Sequence, residues 1–435
     1  MKLRKTPHLL QLSLMLLLLG LACGKNDPAS TEDGGGNGNG TDTVEQYTLF
    51  NPNNAKTTYL IKMDGTVVHE WVSTRGGGYS VYLLENGDII RPALASNVIL
   101  GGGGSAGCVQ QIDWDGDVVW EFTYSNSSHL AHHDIEPMPN GNVLLIAWEV
   151  KSAAEVLAAG RKDDAVMWPD HVIEVEPTGS NTGSIVWEWH AWDHLIQDYS
   201  STRSNYGVVA DHPELIDVNL GSGGVGPAND GDWLHLNGIS YNSDLDQIVL
   251  SSHFMNEIYV IDHSTTTEEA AGHTGGKSGR GGDILYRWGS PSNYDAAGTG
   301  YFDVCHCAWW IPADLAGGGN ILVFNNGENQ RASSIIEITP PLDENGAYTI
   351  VPGTAYGPSQ PTWTYSNGTN FYSSNMGGCQ RLPDGNTLIV ESTKGHFFEV
   401  TDSGEVVWRY SYGSEVARAL RYQADYPGLS RLANR

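Results

Sequence analysis

The sequence predicts an all-β protein, a six-bladed β-propeller of four-stranded antiparallel blades closed by its N- and C-terminal segments. Three observations carry this. Glycine (53), Tyr (20) and Trp (14) are abundant among 435 residues, and long helical patterns are few, which favours short strands joined by tight turns. A strand–turn–strand motif ending in Trp recurs six times along the chain. A second strand–turn–strand motif precedes it in five of the six. One of each makes a four-stranded unit, and such units in series close into a ring.

Residues 1–23 read as a signal peptide. Lys2, Arg4 and Lys5 precede an apolar run from Leu9 to Ala22, too short to span a bilayer comfortably. The run ends in Gly20-Leu21-Ala22-Cys23, which resembles a lipobox with Gly20 where Leu is usual. Export and a lipid anchor on Cys23, to the periplasm or the cell surface, are the expectation. Residues 24–44 (GKNDPASTEDGGGNGNGTDTV) are polar and Gly-rich, as a flexible tether would be. The propeller is expected over 45–435.

The Trp motif appears as TYLIKMDGTVVHEW (58–71), VQQIDWDGDVVWEF (109–122), HVIEVEPTGSNTGSIVWEWH (171–190), IYVIDHS…DILYRW (258–288), IIEITPP…PTWTY (335–365) and FFEVTDSGEVVWRY (397–410). Its Asp-Gly and Ser-Gly pairs suit tight hairpins, and alternation such as Tyr59, Ile61, Met63 suits strands packed between neighbouring sheets. The second motif appears at 79–90, 132–147, 235–252, 306–324 and 378–392. The blade without it needs both termini: residues 47–51 (YTLFN) for one strand and Val416 to Tyr422 for the innermost. Two insertions interrupt the series. Residues 191–232 lie between blades, and 265–282 form a loop expected to be flexible; long loops on a propeller face shape sites.

The net charge of −28 excludes nucleic-acid or membrane binding through a basic face. Cys108, Cys305, Cys307 and Cys379 could be oxidised after export, but spacing does not reveal a pairing.

His133, His235 and His306 align at one position of three copies of the second motif and should begin equivalent innermost strands. In a circular repeat they would face one cavity. Asn237, two residues beyond His235, should share its side of the strand. His253 ends the following strand, His132 precedes His133, and Asn325, Asn326 and Arg331 follow the His306 strand in FNNGENQR.

Over roughly residues 45–430 the chain resembles the bacterial PAPS-independent aryl-sulfate sulfotransferases. The resemblance rests on TYLIKMDGTVVHEW, HHDIEPMPNGN, WEWHAWDHL, DWLHLNGISYNSDLDQIVLSS, the His306 strand with FNNGENQR, GCQRLPDGNTLIVES and the terminal RALRYQADYPGL. It implies a six-bladed propeller that transfers a sulfuryl group between phenols without any cofactor. It implies His306 as nucleophile, His235 with Asn237 as the pair on the sulfuryl group, and His133, or else His132, as a further active-site histidine. Phenols and aryl sulfates would be its small-molecule partners. An imidazole with a pKa near 6.5 is nucleophilic at neutral pH, and a histidine intermediate would split the transfer into two steps.

The chain departs from that family at His253, which stands where the family has an arginine on the sulfuryl oxygens. Arg331 or Arg381 would be substitutes for that cation. Two further readings compete with transfer: a non-catalytic ligand- or partner-binding propeller, and a metalloenzyme using His133, His235, His253 and His306. The Cys305-His306-Cys307 run also invites a metal, but in a strand both cysteines would point away from the histidine.

Overall fold

The repeats fold as six four-stranded antiparallel sheets arranged as a propeller. The computed structural model describes residues 45–432 apart from 97, 222–230, 345 and 352. The signal peptide and tether expected over 1–44 therefore lie outside the described residues, as does part of the 191–232 insertion. Among the described residues no helix is long and apolar enough to cross a membrane.

Counted from the channel outward, blade 1 is Ala419–Gln423, Gln46–Phe50, Thr57–Lys62 and Val67–Val72, and blade 2 is Tyr82–Leu83, Ile89–Leu94, Gly107–Ile112 and Val118–Thr123. Blade 3 is His129–Pro137, Val143–Glu149, Asp170–Gly179 and Thr182–His190; blade 4 is Leu236–Asn242, Gln247–Ser252, Glu257–Asp262 and Tyr286–Trp288. Blade 5 is Cys305–Trp310, Ile321–Asn325, Ser334–Ile338 and Trp363–Ser366; blade 6 is Gly378–Arg381, Thr387–Glu391, His396–Val400 and Val406–Ser411. The expected closure holds. The innermost strand of blade 1 comes from the C-terminal segment, with Gln423 opposite Gln46 and Ala419 opposite Phe50.

Alternation along each strand sends side chains to opposite neighbours. Leu144 and Ile146 join a cluster with Ile239 and Leu250 of blade 4, while Val143 and Leu145 join one with Ile90 and Val109 of blade 2. Phe50 and Ile61 of blade 1 pack with Leu388, Val390 and Phe397 of blade 6, sealing the ring. The recurrent Trp has a second use besides bulk. Its indole N–H reaches a backbone oxygen beyond its own blade: Trp120 donates to Thr182 O at 3.0 Å, Trp363 to Asp402 O at 2.8 Å and Trp408 to Met63 O at 2.7 Å.

The 265–282 loop is more built than its composition implies. Thr266 and Glu269 form a capping box on the short helix Thr267–Ala270, and Asp262 accepts the N–H groups of Ser264 and Ser278.

Arg421 ties the closure strand to its neighbours. Its guanidinium donates to Thr48 Oγ1 (2.8 Å), Gln46 Oε1 (2.8 Å) and Glu399 Oε2 (3.1 Å), and stacks over Trp408. Replacing it by Ala leaves the buried Glu399 with Asn386 but without its cation, so Arg421→Ala should lower the unfolding free energy by about 3 kcal/mol, read from the urea midpoint at unchanged slope.

Candidate active site

Blades 3, 4 and 5 bring four imidazoles to one end of the channel. Ring centroids of His133 and His235 are 4.5 Å apart, those of His235 and His253 5.0 Å, and those of His253 and His306 5.4 Å. They line a cavity of about 470 Å³ together with Asp232, Tyr79, Phe254 and Met376. The strand starts are not equivalent residue for residue, as an ungapped alignment of the repeats implies. His133 lies inside its strand, His235 just before its own, and His306 second in its own. Pairing to the next strand skips at Ala131/Ile135, Leu236/Gly238 and His306/Trp309. His133 (φ 54°) and His235 (φ 52°) adopt left-handed backbone, an uncommon state at histidine that marks a constrained position. Gly104 (φ 79°) crosses His133 so closely that a Cβ there would lie 2.3 Å from the ring.

The tautomer of His306 follows from its partners. Asn326 Nδ2 donates to the carbonyls of Ser373 (2.9 Å) and Met376 (2.7 Å), so its Oδ1 is the atom facing His306 Nδ1 at 2.7 Å. His306 therefore carries its proton on Nδ1. Nε2 keeps a lone pair, which accepts only a long 3.3 Å bond from the Met376 N–H. Burial holds the His306 pKa down to about 3 against the contact with Asn326, with His235 and Arg418 adding to the depression.

Behind His133 stands a buried chain. His133 Nδ1 bonds His132 Nδ1 at 2.8 Å, and His132 Nε2 lies 3.0 Å from Asp170 Oδ1, close but outside hydrogen-bond alignment. His132 stacks on Trp148 with centroids 3.9 Å apart. It thus stands behind His133 and outside the cavity lining. Burial pushes both imidazoles well below the ordinary range and the Asp170 carboxyl well above it, so this chain favours neutral forms. His235 Nδ1 pairs with the Asp232 carboxylate in a short contact. His253 is pushed down to about 2 by burial and by His306 and His235, and its Nδ1 has no hydrogen-bond partner among the described residues.

Several expected residues sit elsewhere. Asn237 lies one layer deeper, on a void of about 20 Å³ below the cavity. Its amide donates to Cys305 O at 2.8 Å and accepts from Ser251 Oγ at 2.6 Å, tying blade 4 to blade 5. Arg331 is exposed with its guanidinium over Tyr372 and does not line the cavity. Arg381 is committed to Glu337 at 2.5 Å. Arg418 lines that deeper void, paired with Asp134 at 2.8 Å. Cys305, Cys307 and Cys379 are buried thiols outside the cavity lining. Nor do the four imidazoles bring three ring nitrogens close enough together to share an ion.

Sequence reasoning missed Asp170, Asp232 and the role of Asn326. Asp232 stood within DWLHLNG, three residues before His235; Asp170 is 38 positions from His132 and nothing local joins them.

A model of the arylsulfotransferase (ASST) family matches residues 96–427, more than half of the chain. The chain belongs to the arylsulfotransferase family. Curated proteins give no match. Among solved structures, this arylsulfotransferase is similar to a protein of unknown function from Bacteroides caccae (11% identity, TM-score 0.47, 87% of this chain and 99% of that one). It is also similar to AztD from Citrobacter koseri (10%, TM-score 0.38, 87% and 98%) and to a functionally unknown protein from Desulfotomaculum acetoxidans (10%, TM-score 0.41, 87% and 99%). Similarities of that size say nothing about activity.

The buried imidazoles of this arylsulfotransferase make its stability depend on pH. His133, His253 and His306, with His171 held at about 3 behind Tyr124, bind a proton in the unfolded chain near pH 6.5 but not in the folded one. Their contribution is complete above about pH 6.5 and is lost as pH falls towards their folded values, by up to about 1.4 kcal/mol per pH unit for each. His132, also depressed by burial, adds to them, while Glu136 and Asp170, raised by burial, and His190 and His263, raised against burial by their carboxylate partners, oppose. Urea unfolding at pH 7, 6 and 5 should show a steady loss of stability; equal midpoints at all three would contradict the neutral assignment.

Proposed function

We propose that this arylsulfotransferase moves a sulfuryl group from a phenolic sulfate ester to a phenolic acceptor through a sulfo-histidine on His306. The observation that carries the reading is the orientation of His306: Asn326 holds the Nδ1 proton, and the Nε2 lone pair is directed away from it. In the first step Nε2 attacks sulfur and the bond from sulfur to the phenolic oxygen breaks. The ring keeps its Nδ1 proton, so the intermediate is a sulfo-imidazolium from which a neutral imidazole can leave. A pKa of about 3 weakens the nucleophile, but it keeps the lone pair free at neutral pH and makes the ring a better leaving group in the second step.

A phenoxide leaving group, with a parent pKa of about 10, benefits from a proton. His133 is the donor in this reading, with His235 as the second imidazole on the reacting group. When His132 donates its Nδ1 proton to His133, the outer nitrogen of His133 carries hydrogen and acts as an acid, while Asp170 stores the other proton. When Asp170 is ionised, a small turn of the His132 ring aligns its Nε2–H with that carboxylate 3.0 Å away, and His132 accepts from His133, whose outer nitrogen becomes the base for the acceptor phenol. Tyr79, Phe254 and Met376 offer an aromatic and thioether wall suited to a phenyl ring, and 470 Å³ is within the range of small-molecule pockets. His253, which lines the cavity, takes a sulfuryl oxygen through its ring N–H. Asn237, committed to two partners, supports the site from below. The segment before residue 45 supports export and a membrane anchor on Cys23, which would present the channel outside the cytoplasm.

Transfer of sulfate from 4-nitrophenyl sulfate to phenol, followed by mass spectrometry of acid-quenched protein, tests the proposal. Wild type should accumulate a sulfuryl adduct on His306, and His306→Ala should lose transfer by at least about 10³-fold. Equal inactivity of the two over a broad donor panel would overturn it; donor-dependent thermal stabilisation without turnover would then favour a binding propeller.

Asp170→Asn keeps the shape but removes the proton store. The rate with phenyl sulfate should drop by about 10²-fold, and less with 4-nitrophenyl sulfate, whose nitrophenolate leaves without a proton. The same drop with both donors would remove the chain Asp170–His132–His133 from the mechanism.

A further inference from the structure

We infer that His194, His273 and Asp283 form a binding site for a single divalent transition-metal ion of the zinc type, which clips the two insertions to blade 4. His194 belongs to the 191–232 insertion, His273 to the 265–282 loop, and Asp283 follows that loop where it returns to the outer strand. His194 Nδ1 lies 2.9 Å and His273 Nδ1 2.7 Å from the same Asp283 Oδ1, and one ligand atom from each of the three residues lies within 4.8 Å of the others.

His194 makes this more than a cluster of polar groups. Its side chain is fully buried. Its Nε2 faces the Ala270 carbonyl at 2.8 Å and must donate to it. Its Nδ1 faces a carboxylate oxygen. With Nε2–H committed to that carbonyl, Nδ1 is the ring atom left to serve as a ligand, and it already faces Asp283. An Nε2–H on a backbone carbonyl is the outer contact that usually orients a metal-bound histidine. The ring is further fixed by stacking with Trp189 at 5.8 Å between centroids. Trp189 donates to Gly282 O at 2.7 Å, and Gly282 itself leaves no room for a side chain: a Cβ there would lie 2.0 Å from Ala270 O.

Two imidazoles and a carboxylate are a borderline-soft donor set of the kind zinc takes with a water in the fourth position. Ligand atoms about 2.0 Å from tetrahedral zinc are about 3.3 Å apart, so an ion would spread the two imidazole–carboxylate contacts by about half an ångström and draw the two ring nitrogens, within 4.8 Å of each other, towards the same spacing. His273 is 60% exposed, which gives the ion a way in and leaves room for water. The site is separate from the channel histidines and does not rest on the proposed reaction.

The test uses the full mature chain, stripped with chelator, loaded with zinc and desalted. Elemental analysis should find one zinc per chain in wild type and His306→Ala, and less than about a tenth of that in His273→Ala and Asp283→Asn; loss of ligand residues removes most of the affinity. Zinc should raise the melting temperature of wild type but not of the two site variants. Cobalt in place of zinc should give visible absorption that both variants lose. His273 is exposed, so its replacement leaves the fold intact and keeps the test decisive. No retained zinc in wild type, equal retention in the site variants, or retention lost in His306→Ala instead, would each overturn the inference.

Discussion

The pairing of Gln46–Phe50 with Ala419–Gln423 is the constraint on which the rest depends. Blades of four strands bury one face only when a neighbour covers it, so a series of six is stable as a closed ring and frayed as an open one. Closing the ring by hydrogen bonds between the two ends of the chain fixes the angle between all blades at once. Only then do His133, His235 and His306, from three successive blades, meet across a few ångströms. The site is thus a property of the closed ring and not of any single motif.

Closure also sets the chemistry of what it gathers. Side chains that point at the axis leave water, and an imidazole that leaves water loses its tendency to hold a charge. The same burial depresses His306, His253 and His133 together, so these three face the cavity as neutral imidazoles, and second partners orient the rings: Asn326 for His306, the His132–Asp170 pair for His133 and Asp232 for His235. These partners decide which nitrogen of each ring faces the cavity. That is an arrangement of dipoles fixed before any ligand arrives, which is the form in which a site spends least on reorganisation.

What could be read from the sequence follows from this division. The six blades were legible because hairpin turns such as Asp64-Gly65 and the recurrent Trp repeat the same solution to the same packing problem. The convergence of the histidines was legible from repeat equivalence. Their roles beyond that were not. The bulges at Ala131/Ile135, Leu236/Gly238 and His306/Trp309 shift each ring differently and cannot be seen in an ungapped alignment. Asp170 reaches His132 across a sheet, and the orientation of Asn326 depends on carbonyls of Ser373 and Met376 in the next blade's approach. Arg331 looked like a substitute for a missing cation because it is close in sequence to Asn326, yet the turn carries it outwards to Tyr372.

The absence of arginine and lysine among the residues lining the cavity bears on how the proposed transfer would be driven. A fixed arginine attracts a sulfate ester before reaction and during it, and the part common to both does not lower the barrier. Neutral imidazoles behave differently. They attract the anionic ester weakly, all the more in a chain of net charge −28. As charge shifts to the leaving oxygen, a proton can move through His132 to His133 and strengthen the contact at that moment. Arg418, one layer below and paired with Asp134, adds to the depression of His306. Such a site trades ground-state affinity for selectivity towards the transition state, so weak binding of donor esters and rapid transfer are compatible in this propeller.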